Sequence, residues 1–391
     1  MSSNELHAQV IRLARARRGN GPAPLRVGIW GPGKRALHYY APIVRALGDE
    51  LELVGVAGRH KARAQGVAEP YECAAFDSID ELVEKARPDL LIVCVSYGMN
   101  GIAALRALDF GLPLLLETPL SSRLRDCDAI VQLVAEKDLP VQVAEQNFLF
   151  PVEQMKTALV REGLFGEVVT VENDYWGFRY HGMSQLRMLA GFANPVQRVR
   201  GMERTVKVWP HPSRWDGNPA REDERWWWGW LEHAWGTVSL YHYTSICYDA
   251  PIRGARSLRF YGTGGFGSNE HYWRFDADRT GQEQVPVEWE WNDLGGGARA
   301  LAALVARPAG GAPIRWDNPF ADLPFDDDHI GVACSLMELV RAIRAGRSDV
   351  SYGVEGGRID QELCTAIEVS HRMGGEALAF PLDRTLLGEW D

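Results

Sequence analysis

The chain has 391 residues, 46% of them hydrophobic and 24% charged, and a formal net charge of −10. That length is too great for one hydrophobic core and calls for two domains. The negative charge argues against a nucleic-acid partner, which a basic surface would grip. No run approaches the roughly 18 apolar residues of a membrane span, so no membrane partner is expected.

The first twenty residues contain no apolar signal core. They read as a short basic helix, Leu6 to Arg18, ahead of a Gly-Pro-Ala-Pro linker, and serve as an oligomer contact or a solvated tail. The apolar strand Leu25 to Trp30 then runs into Gly31-Pro32-Gly33-Lys34-Arg35-Ala36. Gly31 permits a tight bend, and Gly33, lacking Cβ, lets a pyrophosphate approach the backbone. The following helix offers free N–H groups and the positive end of its dipole. Ala36 stands in the third glycine's place. A second apolar run, Leu51 to Ala57, follows at βαβ spacing, so the turn reads as a dinucleotide site rather than a plain strand–helix turn. Gly31, Gly33, Lys34 and Arg35 are its candidate contacts. The second strand ends in Gly58-Arg59-His60-Lys61 with no acid to hold a ribose 2′-hydroxyl. Arg59 and His60 favour the 2′-phosphate of NADP over NAD, the bland alternative being a solvated basic turn.

Strand–helix units continue through Ile79 to Ala86, Leu90 to Val95, Gly101 to Phe110, Leu114 to Leu116, Arg125 to Glu136 and Val141 to Ala144. Nearly continuous apolar strands of this kind predict a parallel sheet covered on both faces. Past residue 150 the pattern changes. A helix over Val152 to Glu162 precedes longer alternating strands at Glu167 to Tyr175, Ala234 to Tyr243 and Ser257 to Tyr261, as in an open antiparallel sheet. Two helices close the chain, Asp328 to Ala345 and about Arg358 to Met373, while Gly295 to Gly297 and Pro308 to Pro313 read as surface loops. The predicted organisation is an extension (1–24), a Rossmann domain (25–150) and a C-terminal domain (151–391).

The six cysteines show no CxxC or other metal spacing, which fits reduced thiols in a cytoplasmic protein without a metal site. Seven of the fourteen tryptophans fall between Trp209 and Trp235. They form either an aromatic core or subunit interface, or a platform for a sugar ring. An alternating strand buries one face only, so part of the Trp226 to Trp230 run must point elsewhere.

In order and spacing the chain resembles the Gfo/Idh/MocA family of oxidoreductases from about Leu25 to Pro381. The landmarks are the turn at 31–36, the segment Asp89 to Pro119 with its Glu-x-Pro ending, Asn147 to Pro151, Gly163 to Val168, Tyr261-Gly-Thr-Gly-Gly265, and Ser370 to Gly374 followed by Phe380-Pro381. The resemblance implies an α/β protein: an N-terminal Rossmann dinucleotide-binding domain and a C-terminal α/β domain with a large, mostly antiparallel open sheet. It also implies a homodimer or homotetramer formed through that sheet, and NADP- or NAD-linked chemistry on a sugar, polyol or related small-molecule substrate. Glu117 and Asn147 take cofactor-binding places, and Ser96 and Asn100 stand where relatives have Thr-Pro and a histidine.

The departures bear on activity. The usual Glu-Lys-Pro is here Glu117-Thr118-Pro119, and a threonine hydroxyl can only hydrogen-bond an oxygen that a lysine would charge-stabilise. The Asp-x-x-x-His of the second domain falls on Gly177-Phe-Arg-Tyr-His181, without the aspartate. His181, at the start of a helix over Gly182 to Ala190, is the candidate acid/base, the bland alternative being a capping or packing histidine. Arg179 is a candidate for the missing charge and Tyr180 for proton donation, with Thr118 positioning oxygen. The expected function is hydride transfer to or from a sugar, glycoside or related cyclic molecule. The alternatives are a redox-neutral, glycoside-cleaving relative, for which Asp174, Glu232, His233 and His242 are unranked candidates, or a non-catalytic cofactor-binding member.

Overall fold

In the computed structural model, which describes residues 22–210, 223–248, 251–276 and 278–387, six short apolar runs pair in parallel. They are β1 (Leu25–Trp30), β2 (Leu51–Ala57), β3 (Ala74–Phe76), β4 (Leu90–Val93), β5 (Leu114–Leu116) and β6 (Val141–Val143), in the order β3-β2-β1-β4-β5-β6. Leu90, Leu91 and Ile92 are fully buried in succession, which a strand achieves only when both sheet faces are covered. The cover comes from α1, a π-helical turn Ala36–Tyr40 that runs into the α-helix Ala41–Ala46, and from α2 (Lys61–Ala68), α3 (Ile79–Ala86), α4 (Asn100–Leu108) and α5 (Leu124–Lys137). Helix α3 starts where Ser78 accepts the Glu81 N–H and stops at Arg87, whose φ of 46° leaves the helical region. Strand order reverses between β1 and β4, and dinucleotides bind outside the carboxyl ends of strands at such a switch point.

After α6 (Pro151–Arg161) the chain enters a nine-stranded sheet. Its strands are β7 (Val168–Asp174), β8 (Val196–Lys207), β9 (Asp223–His233), β10 (Val238–Thr244), β11 (Ser257–Gly262), β12 (Gly265–Ser268), β13 (His271–Phe275), β14 (Gln282–Val285) and β18 (Leu378–Ala379). The order is β14-β13-β12-β11-β7-β10-β9-β8-β18, antiparallel throughout except for β7 beside β10. Three more strands, β15 (Val287–Gly295), β16 (Ala298–Ala306) and β17 (Ile314–Asp317), make a separate sheet. Helices α7 (Arg179–Ala190) and α9 (Val354–Arg372) pack on the nine-stranded sheet, and α8 spans Asp327–Arg344.

The chain divides into two compact units, the first holding residues up to 150 with 290–303 and 317–358, the second holding 151–289, 304–316 and 359–391. Helix α8, placed by the sequence reading in a continuous C-terminal domain, therefore groups with the first unit. The reason is local: Ser335 on α8 faces Gln142 and the Val143 carbonyl of β6, and His329 reaches the His38 carbonyl of α1. The strand expected over Ala234 to Tyr243 is also corrected. Ala234–Thr237 make the hairpin turn between β9 and β10, with Gly236 at φ 90° and its N–H bonded to the His233 carbonyl. The basic helix expected over Leu6 to Arg18 and Trp215 lie outside the described residues. Among the described residues, no helix is long and apolar enough to cross a membrane.

Candidate dinucleotide and substrate sites

In the first unit the bend after β1 is dictated by close packing. Gly31 has φ 118°, and a Cβ there would lie 2.4 Å from the Cys94 carbonyl oxygen. A Cβ on Gly33 would meet nothing within 4 Å. The first glycine thus closes the turn against β4 and the second leaves open space above it, which is the arrangement a pyrophosphate requires. The residues present therefore fit a dinucleotide. At the end of β2, Gly58 packs against Pro32 of the bend, a Cβ there falling 2.4 Å from the proline ring. Arg59, His60 and Lys61 follow, all exposed. Lys34 is exposed beside Gly33.

Arg35 and Glu117, expected at the dinucleotide, are bonded to each other. Glu117 Oε1 accepts from Arg35 Nε (2.5 Å) and from the Tyr40 hydroxyl (3.0 Å), while Oε2 accepts from the Thr118 N–H (2.7 Å) and the Thr118 hydroxyl (3.1 Å). Burial alone would push this carboxyl up, but the Arg35 guanidinium and the other donors outweigh it and hold Glu117 below the usual carboxylate range. The same burial pushes the Tyr40 hydroxyl far up, keeping it a neutral donor. The guanidinium lies 4.3 Å from the Tyr39 ring, and its Nη2 is buried without a partner among the described residues. Tyr40 was not legible as a site residue, since 77 positions separate it from Glu117.

Thr118 precedes a cis proline. Asn100, buried at the start of α4, donates from Nδ2 to the carbonyls of Glu117 (3.2 Å) and Pro119 (2.8 Å), so it shapes this turn. Its Oδ1 is buried and unpartnered among the described residues, as is Gln146 Oε1 beyond β6. Ser96 is exposed in the turn after β4. Asn147 begins a short 3-10 turn, and its N–H donates to Glu145.

In the second unit, β7 leads through Tyr175 to Phe178 into α7, which starts at Arg179 rather than Gly182. Tyr175 (φ 56°) and Arg179 (φ 34°) both carry positive φ, a strained conformation for side-chain-bearing residues that tends to collect at functional sites. Asn173 stitches the loop from below, its Oδ1 accepting from the N–H of Trp176 and Gly177 and its Nδ2 donating to Gln185. His181 lies in the first turn of α7 with Tyr180 packed on it, ring centroids 4.4 Å apart. Arg179 does not offer a free charge: it is ion-paired with Glu368 and stands 5.0 Å from the Trp227 ring.

Strand alternation separates the remaining candidates. Asn173, Gly229, Tyr241 and Tyr243 face the helices; Tyr241 donates to the Gly177 carbonyl, and a Cβ on Gly182 would strike the Tyr241 ring. Asp174, His242 and Trp228 face the other way. There Asp174 Oδ1 meets His242 Nδ1 at 2.6 Å, and Arg259 bonds to Oδ2 and to Glu172. Burial pushes His242 below the usual imidazole range, although nearby Glu172 opposes the shift. This dyad and His181 are thus on opposite faces of the sheet and do not form one site. His233 is a core residue bonded at both ring nitrogens, to Asn194 O and Ser239. Glu232 lies 3.9 Å from Arg198. As alternation demands, Trp226, Trp228 and Trp230 share one face, whereas Trp227 stacks on Tyr243 on the other.

Residues 25–145, which hold the glycine bend and the Glu117 turn, match the family described as "Oxidoreductase family, NAD-binding Rossmann fold", GFO_IDH_MocA. Residues 25–145 thus match the NAD-binding Rossmann domain of the Gfo/Idh/MocA oxidoreductases. A dTDP-3,4-didehydro-2,6-dideoxy-alpha-D-glucose 3-reductase of Streptomyces violaceoruber is 31% identical over 147 residues, 37% of this chain and 42% of that protein. The chain thus matches less than half the length of the curated relatives that lead the comparison, 37% and 42%. Beyond the Gfo/Idh/MocA domain the likeness is one of fold. An aldose-aldose oxidoreductase of Caulobacter crescentus, solved with glycerol, superposes with a TM-score of 0.65 at 16% identity over 91% of this chain and 100% of its own. The WlbA dehydrogenase of Bordetella pertussis, solved with NADH and UDP-GlcNAcA, gives 0.62 at 16% identity over 92% and 100%.

Proposed function

We propose that this chain is an NADP-preferring oxidoreductase that moves hydride to or from a carbon of a sugar, glycoside or related cyclic small molecule. The observation that carries the reading is the pairing of an open Gly33 turn with a second strand that ends without an acid. Arg59 and His60 stand exposed directly after Gly58, which packs against the bend, and a cation at this place pairs with a 2′-phosphate. The reductase relative, which acts on a deoxysugar, supports a ring-borne carbonyl or hydroxyl as the reacting group. Nicotinamide supplies the hydride acceptor or donor when bound.

The chain's own residues provide the rest. Gly31 and Gly33 admit the pyrophosphate, with Lys34 beside it. His181, in the first turn of α7 under a strained loop, exchanges the proton that accompanies hydride transfer, and Tyr180 packs on its ring. Thr118, whose hydroxyl proton is held by Glu117, positions a substrate hydroxyl by accepting from it. Arg179 is a structural ion pair and not a substitute for the family lysine. Assembly as a homodimer or homotetramer through the open sheet belongs to the same proposal: Trp230, Met202 and Tyr261 are exposed on that face.

A second reading, a cofactor-binding protein without net redox turnover, draws on the commitment of the Thr118 hydroxyl to Glu117, which leaves no cation at the position. Mass spectrometry of small molecules released from denatured, freshly purified protein tests the proposal. A dissociable site that then binds NADPH more tightly than NADH supports it. Stoichiometric retained dinucleotide favours the redox-neutral reading, and failure of both nucleotides to bind refutes both.

A further inference from the structure

The carboxyl ends of β4, β5 and β6 display acceptors. Thr118 has one hydroxyl proton, and it points to Glu117 Oε2 at 3.1 Å. Glu117 cannot reverse that bond, because it is an ionised carboxylate held by Arg35 and Tyr40 and has no proton to give. The Thr118 N–H donates to the same oxygen, fixing the residue from two sides. What remains on Thr118 Oγ1 is its capacity to accept. Asn100 has spent Nδ2 on two carbonyls and keeps an unpartnered Oδ1, and Gln146 Oε1 beyond β6 is likewise buried without a donor among the described residues. Buried polar atoms are seldom left unpaired in a native state, so Asn100 Oδ1 and Gln146 Oε1 call for a ligand that brings hydrogen-bond donors, and Thr118 Oγ1 can accept from the same ligand.

From β1 the dinucleotide runs across the switch point, which places its second nucleotide over β4 and β5. Of the groups on that half, the nicotinamide carboxamide carries two amide hydrogens. We propose that Thr118 Oγ1 is a specificity-determining acceptor for the carboxamide N–H of the nicotinamide ring, its polarity set by the positioning residues Glu117 and Arg35. This rests on the dinucleotide site proposed above. It assigns Thr118 a task opposite in polarity to that of a lysine: it receives a hydrogen bond where a lysine would give one.

The test compares NADP with its 3-acetylpyridine analogue, which keeps the ring carbonyl and replaces the amide nitrogen by a methyl group. Dissociation constants from titration calorimetry are needed for the unaltered protein, Thr118→Val and Thr118→Ser, with a thermal melt to confirm folding. The expected result is that the unaltered protein and Thr118→Ser bind NADP roughly 3- to 10-fold more tightly than the analogue, the range for one neutral hydrogen bond. Thr118→Val should hold the two within about twofold. Equal affinities in the unaltered protein, or undiminished discrimination by a folded Thr118→Val, would overturn the assignment while leaving the dinucleotide site intact. Absence of binding by NADP and NAD alike removes the site itself, and the assignment with it. If Thr118→Val does not fold, Thr118→Ala, which also removes the acceptor, takes its place under the same expectation and the same refutation.

Discussion

Replacing Glu117 with glutamine removes one negative charge from a carboxylate that gathers four donors and stands beside a guanidinium. The amide can still accept at one oxygen, so the change is mainly loss of the charge-assisted Arg35 bond at 2.5 Å. Hydrogen bonds to charged groups contribute about 1.5–3 kcal/mol. Glu117 is buried, but the Arg35 side chain keeps 29% exposure and part of its hydration, which argues for the lower half of that range, about 2 kcal/mol. For a unit of this size the cost appears as a fall of roughly 4–8 °C in its melting transition. The assay is calorimetry of the dinucleotide-free protein, on Glu117→Gln, Arg35→Met and the double variant. Because the two groups pair, the double variant should lose about 2 kcal/mol less than the sum of the singles. The folded pKa of Glu117 is depressed, so its stabilising effect is present above the unfolded value near about 4.3 and disappears as pH falls through the folded value. The gap between native and Glu117→Gln proteins should therefore be full at neutral pH and close under acid. Strict additivity in the cycle, or a gap that persists unchanged at low pH, would refute the reasoning.

Gly33→Ala should leave thermal stability unchanged yet weaken dinucleotide binding about 10-fold or more, since its Cβ meets only open space that the pyrophosphate would use; unaltered affinity in a titration counts against the site. Gly31→Ala, by contrast, should destabilise the unit by about 2 kcal/mol or more, visible in urea denaturation, through a positive φ and collision with the Cys94 carbonyl. Arg59→Asp should cut NADPH affinity about 10-fold and improve NADH binding, read by fluorescence titration. His181→Ala should lower turnover of a sugar substrate about 10²- to 10⁴-fold with dinucleotide affinity held within about twofold; a rate equal to that of the unaltered protein removes His181 from the chemistry.

Local signals carried the first unit well. The glycine bend and most of the apolar strands and helices of residues 25–143 depend on neighbours in sequence and lie within a few residues of their expected places, whereas α2 (Lys61–Ala68) and β3 (Ala74–Phe76) were not foreseen. Parity along β9 also separated the tryptophans correctly, because alternation is a property of the backbone. What the sequence concealed was pairing at a distance. Arg35 and Glu117 are 82 positions apart, Asp174 and His242 are 68 apart, and Arg179 finds Glu368 across 189. No periodicity marks such partners, so an arginine that reads as a phosphate or substrate contact proves to be neutralised. The return of residues 317–358 to the first unit escaped for the same reason: the pattern of α8 fixes a helix and its apolar face, and leaves open which sheet that face will cover.

The π-helical turn at Ala36–Tyr40 has a consequence for how this helix tolerates change in length. In an α-helix, positions five apart point about 140° away from each other, so Arg35 and Tyr40 would not meet one carboxylate. A π turn closes over five residues instead of four and brings both onto Glu117 Oε1. Shortening the turn by one residue would restore regular winding and leave the hydrophobic stripe acceptable, yet it would swing one of the two donors off the carboxylate. The segment is therefore more sensitive to a single deletion than to most substitutions, and a sequence that aligns here with a one-residue gap need not share the Glu117 clamp.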